Sequence, residues 1–286
     1  MKRIGSWMLG MCLGLAACGG ETTSPDAGAC SLAENTTETQ TVSPSGCHVL
    51  SRDTSACEAE RKAQGLSGYW LEFSCRVSLS SVTEGGVKVV RAQSDGQPDY
   101  TSFYFPSANA CHEEYSGGIH NPNSISAQRY VVDFVVTPNT TPQSMRGAIV
   151  GLALNGVPIF GNFAAPGDDI YQEAKTFDRC GAHPEMTGRY HYHSEPYALS
   201  YDDSHFIGVM RDGYPVYGRR DVDGSLPALD AYGGHSSVTA HSPATPVYHY
   251  HVNEQTSTAA GSQGQKQWFL TTGTFRGTPA ACGQCN

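Results

Sequence analysis

The stretch Tyr190-His191-Tyr192-His193 recurs as Tyr248-His249-Tyr250-His251, and this repeated tetrapeptide organises the chain. Residues two apart on an extended strand point to the same side of a sheet. The two histidines of each copy therefore share one face, and the tyrosines share the other, where aromatic side chains suit a half-buried sheet. The pattern predicts two strands that each present a pair of imidazoles.

Each tetrapeptide ends a longer repeated block. Residues 151–161 and 208–218 resemble each other, and each contains a turn dipeptide, Asn155-Gly156 or Asp212-Gly213, that favours a type I′ hairpin. We infer an internal duplication of a unit made of a hairpin, a loop and a Tyr-His-Tyr-His strand. One such unit alone leaves its apolar face exposed, so we expect the two histidine blocks to meet on neighbouring strands or on facing walls of one cleft.

The loop of each block adds a third histidine and an aspartate. The candidate metal ligands are His183, His191 and His193 in the first copy, and His235, His249 and His251 in the second. Three imidazoles suit a transition metal such as copper or zinc. Asp178 and Asp230 are candidates for ligands, or for acceptors that orient a ligand imidazole. The alternative is a structural sheet whose histidines hydrogen-bond to these two aspartates.

The pH dependence of such a site also follows from the ligand type. Protonated imidazole cannot bind a metal, so the affinity should weaken as the pH falls through about 6.5, the ordinary pKa of histidine.

The N-terminus has the pattern of a lipoprotein export signal. Two basic residues precede an apolar run over residues 4–17, which is short for a membrane span. The run ends in Leu15-Ala16-Ala17-Cys18, the form of a bacterial lipobox. We predict that residues 1–18 are the signal segment and that Cys18 carries the lipid. The protein is then exported and anchored to the cell envelope, at the outer membrane or the cell surface if the host has two membranes.

Composition divides the remaining chain. Residues 19–46 are rich in Thr, Ser, Pro and Gly with few apolar side chains, which predicts a disordered tether. The rest is long enough for one sizeable core or two small ones, and its many strand signals predict a mainly β, loop-rich single domain. Its parts are a β-rich N-terminal portion at 47–145, the duplicated region at 146–256, and a C-terminal strand and disulfide segment at 257–286.

Charge and cysteine content narrow the function classes. The net charge is −9 and no basic patch is present, which argues against nucleic acid as a partner. Ten cysteines occur, and all except Cys12 and Cys18 lie beyond the signal. The remaining even number in an exported chain predicts disulfides, whose pairing the sequence leaves open. Cys282 and Cys285 are closely spaced but lack a surrounding βαβ pattern, which favours a structural bridge.

These motifs resemble the YHYH-domain family of exported bacterial and some eukaryotic proteins, over about residues 95–255. The resemblance rests on residues 94–100, on residues 155–161, on Phe177-Asp178-x-Cys180-Gly181-x-His183, and on both tetrapeptides. Ala182 stands where a second glycine is common, as at Gly234. The resemblance implies no established substrate or activity.

Three functions compete at this point. The first is a metal-binding lipoprotein that holds copper or zinc in its histidine clusters. The second is a metal-dependent hydrolase or oxidoreductase that uses the same clusters, which requires an open coordination position. The third is a metal-free adhesion or ligand-binding module with exposed tyrosines. No Gly-x-Ser-x-Gly motif is present, so serine hydrolysis is disfavoured, and the sequence assigns no catalytic residue and no small-molecule or protein partner.

Overall fold

The computed structural model describes residues 30–165, 168–283 and 285, and these residues are mainly β, as the sequence predicts. Two α-helices occur, α1 (Ser55–Ala63) and α2 (Ile170–Glu173), with single 3-10 turns at Ser31–Ala33, Gly68–Leu71 and Ala174–Thr176. The strands are β1 (Thr36–Val42), β2 (His48–Arg52), β3 (Ser78–Glu84), β4 (Val87–Ser94), β5 (Tyr130–Val135), β6 (Gln143–Ser144), β7 (Ile149–Ala153), β8 (Pro158–Phe160), β9 (Ala182–Pro184), β10 (Tyr190–Tyr192), β11 (Phe206–Met210), β12 (Pro215–Tyr217), β13 (Gly234–Thr239), β14 (Ser242–His251), β15 (Asn253–Thr256), β16 (Lys266–Phe269) and β17 (Thr274–Phe275).

One sheet of eight strands contains the repeated region, in the order β13-β14-β12-β11-β7-β8-β10-β9. At its centre, β7 and β11 pair antiparallel. On each side of this pair, the next strand is the hairpin partner of the central strand. The strand with the tetrapeptide follows and runs parallel to that partner. The strand with the third histidine forms the edge and runs antiparallel to the tetrapeptide strand. The two halves therefore repeat one pairing pattern about the centre, while their origin by duplication stays a prediction.

The prediction that the histidine blocks lie together is wrong. Four strands separate β10 from β14, and the ligand atoms form two separate groups. Five strand spacings of about 4.8 Å place the tetrapeptide strands on the order of 20 Å apart. The strand pairing gives this order, because β7 and β11 join the two halves, and in each half the tetrapeptide strand lies beyond the hairpin partner of the central strand. All residues of β7 and β11 are buried, which suits strands with neighbours on both edges.

Both predicted hairpins form, but not with the predicted turn type. Gly156 and Gly213 have positive φ angles of 88° and 89°, whereas neither Asn155 nor Asp212 is among the residues with positive φ. A type I′ turn requires positive φ at both central positions. The side chains of Asn155 and Asp212 are buried, and each accepts a hydrogen bond from the backbone N–H two residues later.

A single apolar core joins the N-terminal portion to the repeated region. It includes Phe73 and Phe134 from the former and Ile149 and Ile207 from the latter. A three-stranded sheet of β3, β4 and β5 contributes to this core from the N-terminal side.

All eight cysteines beyond the signal form disulfides, which confirms that prediction. The pairs are Cys30–Cys111, Cys47–Cys180, Cys57–Cys75 and Cys282–Cys285. Four disulfides indicate an oxidising, extracytoplasmic environment. Within the described ranges, no helix has the length and apolar character needed to cross a bilayer. The predicted signal segment and Cys18 lie outside the described residues.

The predicted tether at 19–46 is wrong for the part that the structure describes. Residues 36–42 form β1, which pairs antiparallel with β2. Cys30 is bonded to Cys111, so the start of this segment is tied to the domain. Backbone pairing and a disulfide here replace the apolar burial that the composition lacks. Residues 19–29 lie outside the described ranges.

Candidate metal centres

The structure contains two groups of side chains that could hold a metal ion. The first cluster consists of His183, His191 and His193, and the second cluster consists of His235, His249, His251 and Asp221. In each group, one ligand atom per residue lies within 4.8 Å of all the others. The six candidate histidines therefore form two groups of three.

Strand pairing positions the histidines of both clusters. In the first, β9 runs antiparallel to β10 and sets His183 opposite His191. His193 follows two residues later on the same face. The residues of this cluster are at most 3% exposed. The second cluster has the same register, with His235 opposite His249.

The three imidazoles of the first cluster meet at their Nε2 atoms. His191 Nε2 lies 3.1 Å from His183 Nε2 and 2.9 Å from His193 Nε2. Two nitrogens bound tetrahedrally to one zinc ion at about 2.0–2.1 Å lie about 3.4 Å apart. The observed spacing is therefore close to that of a metal-bound set.

Backbone carbonyls fix the orientation of two of these rings. His191 Nδ1 donates to the carbonyl oxygen of Arg189 at 2.9 Å, and His193 Nδ1 donates to that of Gly161 at 2.5 Å. A carbonyl oxygen can only accept, so Nδ1 carries the proton in both rings. In a neutral ring of this tautomer the Nε2 atom has a free lone pair, and this is the form of histidine that binds a metal.

A threonine performs the same role for the third ring. Thr176 Oγ1 donates to the carbonyl oxygen of Glu173 at 2.7 Å, and it lies 2.7 Å from His183 Nδ1. Because its own proton is used, this hydroxyl accepts the Nδ1 proton of His183. All three Nε2 lone pairs of the first cluster therefore face one another.

Converging lone pairs repel one another unless a positive charge lies between them. Burial lowers the pKa of His193 to about 4 and those of His183 and His191 well below their ordinary value. The rings are therefore neutral near pH 7, and a proton is a poor occupant of the space between them. A divalent metal ion satisfies all three nitrogens, so the residues fit such an ion.

The second cluster adds a carboxylate to three imidazoles. Asp221 Oδ1 lies 3.2 Å from His235 Nε2 and 3.6 Å from the Nε2 atoms of both His249 and His251. These four atoms have the spacing of a four-coordinate site with three nitrogens and one oxygen.

Two of the three outer nitrogens of the second cluster repeat the pattern of the first. His249 Nδ1 donates to Val247 O at 2.9 Å, and His251 Nδ1 donates to Gly218 O at 2.7 Å. Burial is the main cause that lowers the pKa of His251, to about 4. Its Nε2 atom is buried and has no hydrogen-bond partner within the described part of the chain. A buried nitrogen without a partner is what a missing metal ligand bond leaves behind.

Glu173 on α2 lies at the edge of the first cluster. Its Oε1 atom is 3.5 Å from His183 Nε2, yet the group of mutually close ligand atoms contains the three histidines alone. Burial, and secondarily the charge of Asp168, raise the pKa of Glu173 to about 7. Its Oε2 atom is buried and lacks a hydrogen-bond partner among the described residues.

Aromatic rings form one wall of each cluster. Phe160 stacks on His191 with ring centres 3.9 Å apart, and Tyr217 meets His249 edge-on at 5.2 Å. These rings exclude water from the imidazoles, which strengthens electrostatic interactions at the sites.

The predicted role of Asp178 and Asp230 as ligands or imidazole acceptors is wrong. Asp178 accepts from the hydroxyls of Tyr190 and Ser102, and Asp230 accepts from the hydroxyl of Tyr248 at 3.1 Å. Both aspartates lie on the tyrosine side of the sheet, opposite the histidines, because alternate residues of a strand point to opposite faces. The imidazoles instead donate mainly to backbone carbonyls.

Two acidic residues at the clusters are not predicted from the sequence. Asp221 follows Gly218 by three residues, and the matching position after Gly161 is Ala164, so a search for repeated residues passes over it. Glu173 precedes the first loop and has no repeated motif around it. Neither residue carries a local signal, since each reaches its cluster only through the tertiary fold.

A comparison with protein families matches residues 129–231 to the family described as YHYH protein. The chain therefore carries a YHYH domain, as its motifs predict. The matched residues include the whole first cluster and Asp221, and they end before His235. No curated protein and no solved structure matches the chain.

Proposed function

We propose that this YHYH-domain protein binds two divalent transition-metal ions outside the cytoplasm, one in each histidine cluster. The observation that carries the proposal is the convergence of three Nε2 atoms in the first cluster, each with its Nδ1 proton already donated. Hydrogen bonds of this kind to the outer nitrogen are typical of metal-bound histidines, because they fix the tautomer and the ring orientation.

The donor atoms favour zinc or copper. Imidazole nitrogens suit both metals, and all described cysteines are held in disulfides, so no thiolate competes. The second cluster, with three imidazoles and one carboxylate, matches the four-coordinate preference of zinc.

Titration of zinc and copper into the mature protein, by calorimetry and elemental analysis, tests the proposal. We expect two ions per protein in the wild type. The matched variants His191→Ala/His193→Ala and His249→Ala/His251→Ala should each retain one ion. No binding by the wild type would reject the proposal, and two ions in either variant would move the sites elsewhere.

The tetrapeptide tyrosines do not support the alternative of an adhesion module. Tyr190, Tyr192 and Tyr250 are at most 1% exposed, and Tyr248 is half-buried. An adhesive aromatic surface requires exposed rings. Three of the four tyrosines of the repeat are therefore core residues.

We also propose that Cys18 anchors the protein to the cell envelope through a lipid. The lipobox-like sequence supports this, and the four disulfides agree with export. Cys18→Ser should release the protein from the membrane fraction and block processing at that site. Unchanged processing and membrane association of this variant would contradict the anchor.

A further inference from the structure

We propose that the first cluster keeps one coordination position open to an exogenous ligand, water or a small anion, whereas the second cluster is closed by its own carboxylate. The inference rests on the proposed function, because it concerns metal ions bound at these clusters. It distinguishes two sites that the repeated sequence presents as equivalent.

Asp221 closes the second cluster. Its Oδ1 atom belongs to the mutually close group with all three Nε2 atoms. Three nitrogens and one oxygen complete a tetrahedral shell, which is typical of sites that take no further ligand.

The first cluster lacks an equivalent carboxylate. The position that corresponds to Asp221, counted from the preceding glycine, is Ala164, which has no donor in its side chain. Three imidazoles supply three donors, and Glu173 does not belong to the group whose ligand atoms all lie within 4.8 Å of one another. A tetrahedral ion here has a fourth position that the described residues do not fill.

Glu173 lies beside the first cluster and is more exposed than its histidines. Its side chain is 28% exposed, whereas that of His183 is only 2% exposed. One carboxylate oxygen lies 3.5 Å from His183 Nε2, and the other is buried without a hydrogen-bond partner among the described residues. A carboxylate beside the ion, but outside its ligand group, is placed to accept a hydrogen bond from an exogenous ligand.

An open position assigns different roles to the two sites. Catalytic zinc sites combine three protein ligands with an exchangeable one, whereas structural sites are closed. Any metal-dependent reaction of this protein therefore belongs to the first cluster, and its ligand is a water molecule or a small oxygen- or nitrogen-donor anion. The second cluster contributes to stability.

Azide binding to the cobalt-loaded protein tests the inference. Four-coordinate Co²⁺ changes its visible spectrum when an anion enters its shell. We expect the wild type with two Co²⁺ ions to bind one azide. The His249→Ala/His251→Ala variant, which retains the first cluster, should show the same spectral shift, and the His191→Ala/His193→Ala variant should show none.

The possible failures are distinguishable. Failure of the wild type to hold zinc, copper or cobalt would reject the proposed function together with this inference. Two bound cobalt ions without an azide response, or with two azides, would reject the inference alone. The number of azide ions that the cobalt-loaded wild type binds tests the inference even if one of the double variants does not fold.

A second measurement tests the position of Glu173. In the His249→Ala/His251→Ala background, Glu173→Gln should tighten azide binding about threefold or more, because a nearby carboxylate disfavours an incoming anion. Glu254→Gln, which alters a surface pair with Lys266, is the matched control and should leave azide affinity unchanged. Equal affinities in the two variants would overturn the placement of Glu173 beside the open position.

Discussion

At the residue scale, each Tyr-His-Tyr-His copy serves two faces of the sheet. The histidines form the clusters, and the tyrosine hydroxyls bond polar groups in the core. Tyr100 bonds the hydroxyls of both Tyr190 and Tyr192, at 3.1 and 2.7 Å. Tyr250 donates to the buried Asp212 at 2.6 Å. Phenylalanine would fill the same space but remove one hydrogen bond from each of these buried groups, which explains the choice of tyrosine.

The first tyrosine of each copy, Tyr190 or Tyr248, gives a matched test of this network. Tyr190→Phe removes a hydrogen bond to the fully buried Asp178, whose pKa burial raises. It should lower the free energy of unfolding by about 1.5–3 kcal/mol, since the acceptor keeps its desolvation cost. Tyr248→Phe removes the equivalent bond to the more exposed Asp230, and should cost less than about 1 kcal/mol. Denaturant unfolding measures both.

Metal binding provides the control for these variants. Both should retain two metal ions, because their hydroxyls lie on the face opposite the imidazoles. A loss of metal stoichiometry in Tyr190→Phe would contradict the separation of the two faces.

The lowered histidine pKa values shift the expected pH dependence of metal binding. A proton competes with the metal only near the folded-state pKa, which burial lowers to about 4 for His193 and His251. Zinc affinity should therefore change less than about threefold between pH 7.5 and 5.5. Calorimetry at three pH values measures this. A tenfold loss of zinc affinity for each pH unit below 6.5 would contradict this prediction and show that protons compete at the ordinary histidine pKa.

The same shifts affect stability in the metal-free protein. The unfolded histidines bind protons below about pH 6.5, whereas these buried histidines do so only near 4. Their contribution to the free energy of unfolding is therefore present above pH 6.5 and is lost as the pH falls from 6.5 towards 4.

At the scale of elements, the loop between α2 and β9 determines the geometry of the first cluster. Asp178 accepts from the backbone N–H of Cys180 at 2.9 Å, and the disulfide to Cys47 ties this loop to the start of β2. The loop leads directly into His183 on β9. The second half has no disulfide at the corresponding place, where Tyr232 stands.

Removal of two disulfides tests this role of the loop. Cys47–Cys180 closes 133 residues and Cys57–Cys75 closes 18. Loop entropy predicts a loss of about 5 kcal/mol in the free energy of unfolding for the Cys47→Ala/Cys180→Ala variant, and about 3 kcal/mol for Cys57→Ala/Cys75→Ala. In the His249→Ala/His251→Ala background, which disables the second cluster, the Cys47→Ala/Cys180→Ala variant should bind zinc more weakly. The Cys57→Ala/Cys75→Ala variant should keep its zinc affinity. Equal zinc affinities in both variants would show that the disulfide is unimportant for the site.

At the scale of the whole molecule, the eight-stranded sheet holds the two clusters near its opposite edges. The two fully buried central strands, β7 and β11, lie between them, and one apolar core packs against the sheet. This arrangement makes two separate sites on one rigid support.

The separation predicts independent binding. Sites that share no contacting residues have additive effects, within about 0.3–0.5 kcal/mol. Zinc affinity at the first cluster should therefore change less than about twofold when the second cluster is filled or disabled. Competition titration of the wild type and of His249→Ala/His251→Ala measures this. A larger change would demonstrate coupling through β7 and β11.

Local sequence patterns determined much of this protein. The Tyr-His-Tyr-His spacing fixed which side chains share a face, because strand geometry has a period of two residues. The Asn-Gly and Asp-Gly dipeptides marked both hairpins. An even cysteine count in an exported chain indicated disulfides. Each of these features depends on neighbours in sequence or on composition.

Only the tertiary structure decided the pairing order and the acidic partners. A tetrapeptide does not specify which strand lies beside it, so the distance between the clusters depends on the pairing of β7 with β11 at the centre of the sheet. Apolar residues alternate with polar ones over 71–79, as in a half-buried strand, yet the strand of this region, β3, begins only at Ser78. There the buried Arg61 donates to the carbonyl oxygens of Ser74 and Val77, a contact made across the fold. Asp221 and Glu173 likewise reach their clusters through folds of the chain that local periodicity does not encode, and they make two repeated histidine sets into two different sites.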